Sequence, residues 1–170
     1  MRLNKIQITM KQILLSIQQR LTELTGLRYI DRDWGQLQYE QPPVQFPCAL
    51  IDVANIDFTQ QGRGAQLGEA TVTVTIANIN PVPSSALAPD PAASYETIDL
   101  LEEVHQKLQL FSDGSTYNPL MRTNLQKTMA TADYEVYQMS YKTAFVVHKV
   151  ETGVRYVTVG EKITVNNGNS

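Results

Sequence analysis

The stretch Glu69–Ile79, EATVTVTIANI, alternates with a period of two. Ala70, Val72, Val74 and Ile76 fall on one side, and Thr71, Thr73, Thr75 and Ala77 on the other. β-branched residues suit a pleated surface, and a one-residue slip would turn every apolar side chain to the wrong face. The pattern therefore predicts a half-buried strand. Its apolar side belongs on a core, and its threonine side meets water or a polar partner. Burying Val72, Val74 and Ile76 contributes about 1.5–3 kcal/mol each. The strand specifies a sheet and names no chemistry.

The rest of the chain supplies what can cover that sheet. Met1–Ile8 reads as a lead-in. Thr9–Leu24 reads as a helix with a Thr9/Gln12 capping box, a stripe through Met10, Ile13, Leu14, Ile17, Leu21 and Leu24, and Gly26 as a left-handed cap. Leu27–Gln38 mixes charges with aromatics and does not resolve into an element. Asp31 and Asp33 are expected as loop charges pairing with Arg28 or Arg32, because no second ligand cluster supports a metal site. Trp34, the single tryptophan, packs over the core edge or anchors an interface. Prolines between Glu40 and Pro47 lead into a strand over Cys48–Phe58, and its apolar parity changes near Ala54–Asn55, which implies a bulge. Cys48 reads as a small buried residue. Thr59–Gly68 reads as a flexible hairpin tip. Its glycines are spaced G-x-G-x-x-x-G and precede a strand, so they are no dinucleotide fingerprint. Arg63 at this tip is an interface candidate.

Asn80–Ser94 is proline-rich and reads as a connector or an arm. Tyr95–Phe111 reads as the second helix, with Ser94 as N-cap and a stripe of Tyr95, Ile98, Leu101, Val104 and Leu108. Glu102, Glu103 and His105 lack the spacing of a helical metal motif and read as a solvated face. Ser112–Thr131 reads as loop, with a short ordered piece at Leu120–Arg122. Asp133–His148 reads as a long strand with Tyr137, Met139, Tyr141, Phe145 and Val147 on one face and a bulge accommodating its length. Tyr156–Val165 reads as a last strand or arm, and 166–170 as a disordered tail. The expectation is a single α+β domain over 1–170 with its core at about 9–150, an arm at 154–165, and two amphipathic helices packed on a mainly antiparallel sheet.

Composition narrows the function classes. The chain is 42% hydrophobic and only 18% charged, so its polar surface must come from Gln, Asn, Thr and Ser. Uncharged polar groups are cheaper to bury than ions, which suits a surface covered by other subunits, although compositional drift accounts for it equally. A net charge of −3 argues against gripping nucleic acid by phosphate neutralisation. One cysteine allows no intrachain disulfide. No apolar run is long enough for a membrane-spanning helix, and no secretory h-region follows Arg2 and Lys5. No catalytic, cofactor-binding or metal-ligating motif is present. A small hydrolase using His105 or His148 lacks a Ser or Cys partner motif.

The element order resembles that of the tail terminator and tail completion (head-tail joining) proteins of long-tailed bacteriophages and prophages. The resemblance spans roughly Met10–Val147. It is carried by the leading helix, by Phe46-Pro47-Cys48-Ala49-Leu50-Ile51-Asp52 entering a strand, and by the glycine-containing hairpin. The strand Ala70–Ile79, the helix Tyr95–Leu110 and the Tyr137-x-Met139-x-Tyr141 strand complete it. The tail Val157–Ser170 and the proline loop depart from the pattern. The resemblance implies a non-enzymatic virion protein in the tail or neck, assembled in the host cytoplasm. It implies a homo-oligomeric ring, commonly a hexamer, that caps the tail tube, halts its polymerisation and joins it to a head-side connector. DNA would pass that ring without sequence-specific binding. Within this expectation Thr71, Thr73 and Thr75 join Arg63 and Trp34 as subunit-interface candidates. Another neck component or a tail-tube subunit is the alternative.

Overall fold

The alternating strand lies at the centre of the sheet. The computed structural model describes residues 9–79, 85–130 and 133–148, so the arm at 154–165, the tail at 166–170 and the whole of the lead-in lie outside the described residues. The strands are β1 (Tyr29–Arg32), β2 (Cys48–Gly62), β3 (Ala65–Ile79), β4 (Met121–Ala130) and β5 (Tyr134–His148), in the order β1-β2-β3-β5-β4. β1 runs parallel to β2 and the remaining pairings are antiparallel, so the sheet is mixed within an α+β fold. Two helices, α1 (Thr9–Leu21) and α2 (Glu96–Leu108), share one core with its inner face.

Register explains that core. Val74 of β3 stands between Ile51 of β2 and Met139 of β5, and Val72 between Val53 and Tyr141. Above these rows α1 contributes Ile13, Ile17 and Leu21, and α2 contributes Leu100, Leu101, Val104 and Leu108. The bulge expected near Ala54–Asn55 is there, as a register shift between Val53 and Asn55. It returns Ile56 to the inner face, opposite Ala70.

Several boundaries differ from the sequence reading. Helix α1 ends at Leu21, and Gly26 is not left-handed; it lies where an added Cβ would touch Leu100 at 3.4 Å. The side chain of Thr9, and with it the capping box, lies outside the described residues. A 3-10 turn at Ala92–Tyr95 precedes α2, and Ser94 bonds the Pro91 carbonyl rather than capping the helix. That entry sets the rotation of α2. Thr97 faces the core, where its hydroxyl accepts from Asn78 Nδ2 at 3.3 Å, while Tyr95 and Ile98 are exposed. A hydrophobicity stripe does not register a threonine whose hydroxyl is satisfied.

The hairpin tip is also tighter than expected. β2 runs to Gly62 and β3 begins at Ala65, so the turn is Arg63–Gly64 with φ of 49° and 74°. Two left-handed residues match the twist of the flanking strands, and Gly64 takes its conformation without strain. Further along, Phe58 and Phe145 flank Gly68 in register. Their rings meet edge-on at 6.2 Å, and a Cβ on Gly68 would fall 2.7 Å from the Phe145 ring.

The largest departure is β4, expected as loop. Its bulges at Arg122/Asn124 and Lys127/Met129 break the alternation that marks a strand. β5, expected to be bulged, instead pairs with β3 without interruption from Tyr134 to His148.

Candidate interaction surface

The helices cover one face of the sheet, and the other face carries the sequence-predicted threonines. Across it, Thr73 sits between Asp52 and Ser140, with Asn124 beyond. Thr75 sits between Leu50 and Gln138, with Gln126 beyond, and Gln126 donates to Gln138 Oε1 at 3.3 Å. Thr71 sits between Asn55 and Lys142. The middle of the face is therefore a patch of hydroxyls and amides with few charges. Such groups can be desolvated at modest cost when a partner satisfies them.

One end of this face is closed by the chain itself. Cys48, Leu50, Ala77 and Val136 form a second apolar cluster, packed by Leu37, Val44 and Phe46 from the segment between β1 and β2. Phe46 stacks on Tyr134 at 5.4 Å. Thr75, paired with Leu50 of that cluster, is only 7% exposed, whereas Thr71 and Thr73 remain half-buried. The threonine face is thus not uniformly open, because the Leu37–Phe46 cover is not legible in the strand's own alternation.

Cys48 is fully buried in this cluster, and burial pushes its thiol up to about 11. A thiol held protonated and out of water is unreactive. The native protein is expected to resist thiol reagents at pH 8 and to take up one label per chain on unfolding; fast labelling of the native protein would contradict this packing.

Asp31 organises the approach to that cover. Its Oδ2 accepts from Tyr29 Oη at 2.9 Å, Trp34 Nε1 at 3.3 Å and Gln36 Nε2 at 3.4 Å, and Oδ1 accepts the Arg32 N–H at 2.7 Å. Asp33 accepts from the Gly35 N–H at 2.9 Å. The expected pairing of these carboxylates with Arg28 or Arg32 is replaced by a turn that uses them as acceptors; Arg32 reaches Asp52 instead, at 3.9 Å. Gln36 is fully buried and satisfied, accepting the Trp34 N–H and donating to the Arg32 carbonyl.

Burial raises the Asp31 carboxyl, but the donors around it outweigh that and hold it below the usual carboxylate value. A depressed folded value means the contribution is present above the unfolded value and is lost as pH falls through the folded one. Asp31→Asn is expected to cost about 1–3 kcal/mol at pH 7 and to flatten acid unfolding. Urea titrations at pH 7 and pH 3 check both; an unchanged acid limb would contradict the role.

Trp34 is 53% exposed and meets Tyr39 edge-on at 6.0 Å. It follows β1 at the sheet edge, while Arg63 occupies the exposed tip of the β2–β3 hairpin. The five candidates thus form a threonine row on β3 and two separate outposts. Sequence reasoning missed Ser140, Gln138, Asn124 and Gln126. The first two were readable as the opposite parity of β5; the other two were lost with β4.

His105 Nδ1 lies 3.3 Å from Tyr141 Oη, and neither histidine bonds a Ser or Cys side chain among the described residues. Burial and the nearby Arg122 charge lower the His105 value. Among the described residues no group of three His, Cys, Asp or Glu is placed to hold a metal ion. No described helix is long and apolar enough to cross a membrane.

No family model matches the chain, and no curated protein does. Among solved structures, a chain from the virion of a native gene transfer agent particle is similar, with a TM-score of 0.48 and 9% identity over 76% of this chain and 91% of that one. A likeness of that size assigns no function.

Proposed function

We propose that this chain is a non-enzymatic structural subunit of a phage or prophage virion. Its copies close into a ring at the end of the tail tube, stop tube polymerisation and join tail to head. The observation that carries the reading is the sheet face on which no described helix packs, with Thr71, Thr73, Ser140, Asn124 and Gln126 at its middle. A face of uncharged polar groups beside a helix-covered core suits burial against further subunits. The element order in the sequence supports the tail-terminator assignment, and a six-fold ring is its expected closure. The partners are other copies, the tail tube protein and a head-side connector. The net charge of −3 lets DNA pass without being held.

Polymerising cognate tail-tube protein with and without this chain tests the reading. Electron microscopy is expected to show shorter tubes, each capped at one end by a ring. Long filaments of this chain alone would instead assign it as a tube subunit. Tubes of unchanged length with no bound protein would overturn the proposal.

A further inference from the structure

Among the described residues, two strand edges lie open. β1 covers β2 only from Cys48 to Ile51, so no described strand lies beside Asn55–Gln61. β4 ends the sheet on the other side. An open edge presents unpaired N–H and C=O groups and templates further pairing unless charges, prolines or bulges guard it. β4 has no proline, and Thr123–Met129 are all exposed. Its guards are turned inward. Lys127 is bound by Glu135 at 2.5 Å and lies over the Tyr137 ring at 5.2 Å, so its charge is folded back onto the sheet. The threonines at the two bulges, Thr123 and Thr128, donate to the Ser140 and Val136 carbonyls of β5. Between them Asn124–Lys127 pairs regularly with β5.

The direction of the free groups can be read from neighbours. In a strand, side-chain face and hydrogen-bonding direction alternate together. Arg122, opposite Tyr141, sends its N–H away from β5 to Gln109 Oε1 at 3.1 Å. Leu125 and Lys127, opposite Met139 and Tyr137, share its face and point the same way. On β2, Ile51 sends its carbonyl outward to the Asp33 N–H at 2.8 Å. The bulge after Val53 restores the same phase at Ile56 and Phe58. β2 and β4 run in opposite directions, because each antiparallel step along β2-β3-β5-β4 reverses the chain. Side by side with the same face up, they make an antiparallel pair. Leu125 is 41% exposed and Phe58 is 52% exposed, so that pair also covers apolar surface on both partners.

We propose that the β4 edge of one copy pairs antiparallel with the Asn55–Gln61 edge of β2 in a second copy, with Leu125 opposite Phe58 and Lys127 opposite Ile56. Different surfaces meet, so the contact is head-to-tail and can close into a ring. The inference rests on the self-association in the reading above and adds to its outer-face contact a second, edge-to-edge one.

Leu125→Cys and Phe58→Cys in the full-length chain test it. Directly opposed residues of an antiparallel pair have Cα atoms about 5.5 Å apart or less, within disulfide range. Under mild oxidation a mixture of the two single variants is expected to give a covalent dimer, and the double variant a ladder of multimers, with neither single variant linking alone. Cys48, being fully buried, stays out of the reaction. A dimer from Leu125→Cys alone would show β4 pairing with itself and overturn the proposal. No link in the mixture while light scattering shows an oligomer would also overturn it and leave the ring reading standing. No link and a monomer at every concentration would remove both.

Discussion

Val74→Asp leaves no folded protomer. Val74 is fully buried at the crossing of the sheet's centre and the helix layer, between Ile51 and Met139. Its neighbours in the core cluster are apolar, so a carboxylate there finds no compensating partner. The charged form pays a desolvation penalty of several kcal/mol, and the neutral form still leaves polar oxygens unsatisfied. A domain of this size is stable by about 5–15 kcal/mol in total, so one such change consumes much of the margin. Far-UV circular dichroism and urea unfolding are expected to show loss of the cooperative transition or a cost of more than about 4 kcal/mol. A variant within about 1 kcal/mol of wild type would mean that this face of β3 does not carry the core.

Thr73→Lys is expected to do the reverse. Thr73 is the next residue along β3 and points to the opposite face, between Asp52 and Ser140. It is half-buried, and Asp52 offers an added ammonium a nearby carboxylate. The protomer should stay within about 0.5 kcal/mol of wild type, as surface substitutions usually do. In an assembly that covers this face, the same ammonium must be desolvated inside the contact. Desolvating an ion, even beside a carboxylate, costs several kcal/mol, which weakens association at least about a hundredfold. Thr73→Ser should leave both properties unchanged. Loss of fold in Thr73→Lys, or unimpaired assembly, would show that the outer face is not used as described.

The contrast between neighbouring residues also marks what the sequence could convey. Strict alternation made the inner face of β3 and the matching face of β5 legible, because burial on one side leaves a period of two. The parity change at Ala54–Asn55 located the bulge in β2 for the same reason. The rotation of α2 was not legible, because Thr97 enters the core through a hydrogen bond from Asn78 rather than through hydrophobicity. β4 was hidden by its own bulges, and with it the open edge and half of the amide patch. The Asp31 turn was obscured because a carboxylate that accepts from Tyr29, Trp34 and Gln36 looks, in one dimension, like any loop charge. The closed end of the outer face depends on Leu37, Val44 and Phe46 meeting Leu50 and Ala77, contacts between segments that no local pattern encodes.

Self-association through the side of the sheet that no described helix covers is the central requirement of a ring. Light scattering of the full-length protein across a wide concentration range, alone and with tail tubes added, measures it most directly. The prediction is a species of single, discrete mass several times the 19.1 kDa of one chain, formed in solution or on the tube ends and abolished by Thr73→Lys. A 19.1 kDa monomer under every condition, with no binding to tubes, would contradict it.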